Sequence, residues 1–114
     1  MKLLIVEDSQ SVRRVIRSIV ATLADEVYEC EDGAEALTAY VAHKPDWVLM
    51  DIAMKNVNGI TATKLIKDQY PDAKIIIVTN FDETDLRESA LQAGACGYVL
   101  KENLFELRKL LKDV

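Results

Sequence analysis

Short runs of Val, Ile and Leu alternate along the chain with longer segments whose apolar residues recur every three or four positions. Leu3-Leu4-Ile5-Val6, Trp47-Val48-Leu49-Met50 and Ile75-Ile76-Ile77-Val78 are apolar throughout, the pattern of strands buried on both faces of a parallel sheet. Val27-Tyr28-Glu29-Cys30 and Tyr98-Val99-Leu100 are more polar or shorter and predict edge strands. Between the runs the period becomes helical. Val12, Val15, Ile16, Ile19, Val20 and Leu23 predict one buried stripe, with Arg13, Arg14 and Arg17 facing away. Ala36, Leu37, Tyr40 and Val41 follow Asp32-Gly33, and Ala62, Leu65 and Ile66 follow Asn58-Gly59. Asp32 and Asn58 suit N-caps, and Pro45 and Pro71 suit stops. A fourth helix is predicted from Thr84 to Ala93, ending at Gly94, and a fifth carries Leu104, Leu107 and Leu111. Strand-helix alternation with right-handed crossovers gives a doubly wound α/β sheet. Placing the apolar strands centrally predicts the order 2-1-3-4-5.

At 114 residues the length suits one domain spanning 1–114. Half of the chain is hydrophobic and 29% is charged, with four Gly and two Pro, the composition of an ordered globular protein. The net charge of −5 argues against direct nucleic-acid contact, which needs a basic face. Cys30 and Cys96 form neither a CxxC pair nor a staple framework and are expected to be reduced. No stretch approaches the roughly 20 apolar residues of a membrane span, so a cytoplasmic protein without membrane contact is expected. His43 lacks companions for a zinc or catalytic site, and Trp47 suits the core.

In a doubly wound sheet, ligands bind outside the carboxyl ends of the strands, where the winding reverses. Strand one ends in Glu7-Asp8, strand three in Asp51 and strand four in Thr79, and strand five runs into Lys101. Adjacent strands lie about 4.8 Å apart, so Glu7, Asp8 and Asp51 should share one pocket. Three carboxylates that close repel unless a proton or cation intervenes, and an all-oxygen donor set suits Mg²⁺. A metal, the Lys101 ammonium and the Thr79 hydroxyl around one carboxylate would form a receptacle for a phosphoryl group. Asp51, between the acids and the Lys-Thr side, is the expected acceptor.

Together the acidic pair, Asp51-Ile52-Ala53-Met54, Asn58-Gly59, Thr79 and Tyr98-Val99-Leu100-Lys101 resemble the receiver domain of two-component response regulators. The run from Ala93 to Lys101 is most similar to receivers that precede LuxR-type helix-turn-helix effectors. The resemblance implies a flavodoxin-like (βα)5 fold and a phosphorylation-activated switch, not a classical enzyme. Asp51 would accept a phosphoryl group from a sensor histidine kinase or a histidine phosphotransfer protein. Asp8, Asp51 and the backbone carbonyl of Ala53 would bind Mg²⁺, with Glu7 acting through a metal-bound water. Lys101 and Thr79 would contact the phosphoryl oxygens, and Tyr98 would turn inward as the switch. The resemblance further implies kinase contacts on the first helix, where Arg13, Arg14 and Arg17 lie, and a homodimer on phosphorylation. It fits both a stand-alone receiver and the N-terminal domain of a longer DNA-binding regulator.

The chain departs from the family pattern at Lys55 and Glu102, where proline is common. Ala53 and Phe81 occupy positions that vary widely in the family; Phe81 is expected to shield the acyl phosphate from water. A pseudo-receiver, a never-phosphorylated binding module, remains the alternative. An aspartyl phosphohydrolase would need an acid at Ala53, and a dinucleotide site would need glycines in Glu7-Asp8-Ser9-Gln10-Ser11.

Overall fold

The computed structural model describes residues 1–112. The apolar runs form β1 (Lys2–Val6), β3 (Trp47–Met50) and β4 (Ile75–Thr79), and the two weaker candidates form β2 (Glu26–Cys30) and β5 (Gly97–Leu100). Between them lie α1 (Gln10–Val20), α2 (Gly33–His43), α3 (Gly59–Gln69) and α4 (Thr84–Gln92). After a 3-10 turn over Lys101–Asn103 comes α5 (Glu106–Lys112). All five strands are parallel, in the order β2-β1-β3-β4-β5.

Two apolar layers explain the unbroken apolar runs of β1, β3 and β4 over residues 3–6, 47–50 and 75–78. Leu4, Val6, Val48, Met50, Ile75 and Ile77 pack under α2, α3 and α4 against Ala36, Ala62, Ile66 and Ala90. Alternate residues Leu3, Ile5, Leu49, Ile76 and Val78 face α1 and α5 and meet Ile16, Ile19, Val20, Leu107 and Leu111. Trp47 joins the second layer, as expected, with Lys74 Nζ lying 4.8 Å above its ring.

Asp32 and Asn58 do cap their helices, accepting hydrogen bonds from Ala34 N and Thr61 N. The fourth helix stops at Gln92, and Gly94 adopts a φ of 110°, a conformation that favours glycine. Leu104 lies in the turn before α5, two residues ahead of its first residue, and not in the helix as expected. All peptide bonds among the described residues are trans, including that before Glu102. Both cysteines are free; Cys30 is buried, which pushes its thiol up to about 11, whereas Cys96 is exposed. His43 stacks on Tyr28 at 3.7 Å between ring centroids.

Four expected orientations are corrected. Arg13 is buried, only 8% exposed, and does not face solvent. Val15, Val41 and Leu65, expected in buried stripes, are exposed by 48%, 46% and 45%. On α1 the buried arc centres near Ile16, and at about 100° per residue Arg13 falls inside one edge while Val15 falls outside the other. Val41 and Leu65 lie at the margins of arcs that Ala36, Ala62 and Ile66 fill.

One tether holds the segment that follows β3. The buried Asp32 carboxylate accepts from Ala34 N at 2.9 Å, Asn56 N at 2.8 Å and Val57 N at 3.0 Å. The hydrogen bond from Ala34 N, then those from the 55–57 backbone, hold its pKa below the usual carboxylate range. A depressed carboxylate stabilises the fold above its unfolded-state pKa and loses that contribution as pH falls through the folded value. Asp32→Ala is expected to cost roughly 2–3 kcal/mol near neutral pH, combining a lost cap with charge-assisted bonds. Urea unfolding should find that cost shrinking as pH falls below the usual carboxylate range; a cost independent of pH would contradict the tether.

Candidate functional site

The strand register brings the chemistry together. Val6 pairs with Met50, so Glu7 and Asp51 leave adjacent strands at the same level, and Asp51 N donates to Val6 O at 2.9 Å. Glu7, Asp8 and Asp51 each place a carboxylate oxygen within 4.8 Å of the others. Glu7 and Asp51 are buried, and Asp8 is exposed at the mouth. These all-oxygen donors, two withdrawn and one open to water, fit a hard divalent cation that keeps part of its hydration shell.

Lys101, at the end of β5, reaches into this cluster. Its Nζ lies 2.7 Å from Glu7 Oε1 and 3.3 Å from Asp51 Oδ2. Burial raises the pKa of Asp51, and the charge of Lys101 offsets part of that rise. Glu7 is raised by burial too, against the opposing effect of Lys101. Burial of Lys101 favours its neutral form, but the hydrogen bond to Glu7 and the charge of Asp51 outweigh it and raise its pKa.

The loop that carries Asp51 is closely supported. Asp51 Oδ1 accepts from Ile52 N at 2.8 Å, and Gly59 N donates to Ile52 O at 2.9 Å. Gly59 begins α3 so near Asp51 that an added Cβ would lie 1.7 Å from the Asp51 carbonyl oxygen. Ala53 is exposed two residues beyond Asp51.

Thr79 is fully buried at the end of β4, where its Oγ1 accepts from Phe81 N at 3.3 Å. Tyr98 is half-buried, and its hydroxyl donates to Phe81 O at 2.7 Å. The Arg87 guanidinium lies 4.6 Å above the Tyr98 ring and also pairs with Asp82. Phe81 is exposed on the β4–α4 loop. An open groove of about 360 Å³ runs beside Lys101, lined by Ser11, Val12, Val15, Asn80 and Leu104.

Three features escaped the sequence pattern. Glu7 pairs more closely with Lys101 than Asp51 does; Asp32 reaches across to the 55–57 backbone; and Arg13 Nη1 donates to Glu7 O at 2.6 Å. The Asp32-Gly33 pair was the available signal for the second, as a strong cap. Nothing local marked the other two.

A family model described as the response regulator receiver domain matches residues 3–114. The chain is 41% identical over 104 residues to the transcriptional regulatory protein YhcZ of Bacillus subtilis (strain 168), covering 90% of this chain and 49% of that protein. It therefore spans about half the length of that relative. It is 39% identical over 114 residues to the chemotaxis protein CheY of the same organism, covering 99% of this chain and 93% of CheY. Among solved structures, a DNA-binding response regulator of the LuxR family from Staphylococcus aureus superposes with a TM-score of 0.89 at 26% identity. That match covers 98% of this chain and 96% of the other.

Proposed function

This chain belongs to the response regulator receiver domains of two-component systems, and from that premise we propose that it is a switch set by phosphorylation of Asp51. The observation that carries the reading is a buried Asp51 carboxylate facing both the Lys101 ammonium and the open acid Asp8. Glu7 shares this burial and pairs more closely with Lys101, so Asp51 is assigned as the acceptor by its place directly after β3 in the receiver pattern.

In the proposed step an Asp51 carboxylate oxygen attacks the phosphorus of a phosphohistidine on a sensor kinase or phosphotransfer protein. The new O–P bond forms as the P–N bond breaks, and the imidazole leaves with the bonding pair and takes up a proton. Lys101 lies where it can pair with the arriving phosphoryl oxygens, exchanging its contacts to Glu7 and Asp51. Asp8, Asp51 and the Ala53 backbone carbonyl would hold Mg²⁺, with Glu7 acting through a water. When bound, Mg²⁺ would neutralise charge on the transferring group.

Thr79 is then drawn toward the phosphoryl group, giving up its bond with Phe81 N, and Tyr98 turns into the vacated space. The added charge thereby biases a two-state surface over α4, β5 and α5. We assign that surface to a homodimer or an effector partner. The likeness to LuxR-family regulators supports a DNA-binding effector in a longer parent protein, with residues 1–114 as its receiver. Phe81, at the lip, would slow hydrolysis of the acyl phosphate.

Intact mass spectrometry after incubation with acetyl phosphate tests the reading. The wild type should gain one phosphoryl group with Mg²⁺ and none with excess EDTA. No gain under either condition would favour a pseudo-receiver.

A further inference from the structure

We propose that Arg13 is a positioning residue for the divalent-cation site, fixing the peptide that joins Glu7 to Asp8. Its side chain is only 10% exposed, and a buried guanidinium needs partners for its several donors. Nη1 donates to the Glu7 carbonyl at 2.6 Å and Nε to Glu29 Oε1 at 2.9 Å, while Nη2 lies 3.7 Å from Glu31 Oε1.

The gripped oxygen belongs to the peptide plane that leads into Asp8. Holding it limits rotation about the bonds on either side and therefore the direction in which the Asp8 carboxylate leaves the backbone. On its side-chain end Glu7 is held by Ser9 N at 3.0 Å and by Lys101. Arg13 supplies the hold on the main chain, from outside the ligand set. Its charge faces Glu29 and Glu31 on β2 and the residue after it, so it steadies the acid pair without adding an uncompensated cation that would repel a metal.

A merely structural arginine would serve packing of α1 on β2, and the fold has a second arginine for that. Arg17 also holds Glu29, through Nε at 2.7 Å. Removing Arg13 therefore leaves Glu29 paired and orphans the Glu7 carbonyl instead. Partners that orient metal ligands typically matter by one to two orders of magnitude in affinity.

This inference rests on the assignment of Glu7, Asp8 and Asp51 to Mg²⁺. Calorimetric titration of the full chain with MgCl2 tests it, using wild type, Arg13→Met, Arg13→Lys and Leu111→Ala. Leu111 is a buried α5 residue in the layer that α1 and α5 share, so its truncation lowers stability without removing a hydrogen bond to the acid pair. Arg13→Met is expected to weaken Mg²⁺ binding about tenfold. Arg13→Lys should fall between, because one ammonium cannot serve both Glu29 and the Glu7 carbonyl. Leu111→Ala should bind like the wild type. Before any Mg²⁺ is added, the amide resonances of Asp8 and Ser9 should already shift in Arg13→Met.

Wild-type affinity in both Arg13 variants overturns the inference while leaving the cation site intact. So does equal weakening in Leu111→Ala, which would trace the effect to stability alone. If Arg13→Met does not fold, Arg13→Lys decides by the same comparison. A wild type that does not bind Mg²⁺ overturns the assignment of the site itself, and the role of Arg13 with it.

Discussion

Gly59→Ala should destabilise the protein by roughly 3 kcal/mol, the upper range for overpacking, although alanine is the better helix former by about 1 kcal/mol. Propensity and sterics oppose each other here, and distance decides between them. The new Cβ would lie 1.7 Å from Asp51 O, 2.7 Å from Asp51 C and 2.9 Å from Met50 Cγ. Two of these atoms are backbone of the residue that follows the central strand β3, so no side-chain rotation relieves the clash. Either α3 moves away from the sheet or the Asp51 peptide moves off β1. At about 4–8 °C per kcal/mol for a small domain, the melting temperature should fall by more than about 10 °C.

The same displacement acts on the site, because the Asp51 carbonyl and the loop to Ala53 move together. Phosphoryl uptake from acetyl phosphate should slow alongside the loss of stability. Gly97→Ala is the contrast. Its nearest neighbour would be Ile76 Cγ1 at 3.3 Å, a side-chain atom and not backbone, and removing glycine from a strand recovers about 0.5–1 kcal/mol. Scanning calorimetry should therefore separate the two variants widely. Similar melting temperatures would mean that the approach of α3 to Asp51 is not a constraint.

Much of this arrangement was legible in the chain because its strongest signals are local. An uninterrupted apolar tetrad such as Leu3 to Val6 can belong only to a segment covered on both sides, and three such tetrads place three central strands. Once the order follows, the strand ends name the acids, Thr79 and Lys101 without further information. What stayed hidden depends on rotations of a few tens of degrees and on partners distant in sequence. Val15 and Arg13 stand two residues apart, and a small roll of α1 about its axis exchanges their environments. Periodicity fixes which arc of a helix is apolar but not which margin the sheet covers, and burial of an arginine needs Glu29 and the Glu7 carbonyl to be within reach. Likewise, the capping role of Asp32 was readable from Asp-Gly, but its second oxygen serves a loop that only the folded sheet brings near. The Cβ exclusion at Gly59 is a property of tertiary approach, which no spacing rule encodes.

Asp51→Asn should abolish phosphoryl uptake and at the same time make the metal-free protein more stable. The first effect follows from the proposed chemistry, since an amide oxygen is a poor nucleophile and forms no acyl phosphate. The second follows from the electrostatics of the pocket. Burial raises the folded-state pKa of Asp51 despite Lys101, so its ionised form is less favourable in the folded chain than in the unfolded one. An acid with a raised folded pKa opposes folding above that value, and the penalty fades as pH falls through it. The amide removes the charge but keeps an oxygen able to accept from Ile52 N, and Lys101 retains Glu7 at 2.7 Å. Relief of about 1 kcal/mol corresponds to a melting temperature higher by roughly 4–8 °C at about pH 7.5. The difference should narrow at a second, lower pH, because the raised carboxylate takes up its proton earlier than an ordinary one as pH falls. Saturating Mg²⁺ should reverse the ranking, because a ligand that binds only the folded wild type adds stability in proportion to the logarithm of its concentration. Thermal melts in EDTA and in excess MgCl2 at both pH values test all three signs. A lower melting temperature for Asp51→Asn in EDTA would mean that its attraction to Lys101 outweighs the cost of its burial, and that the pocket is balanced without a metal.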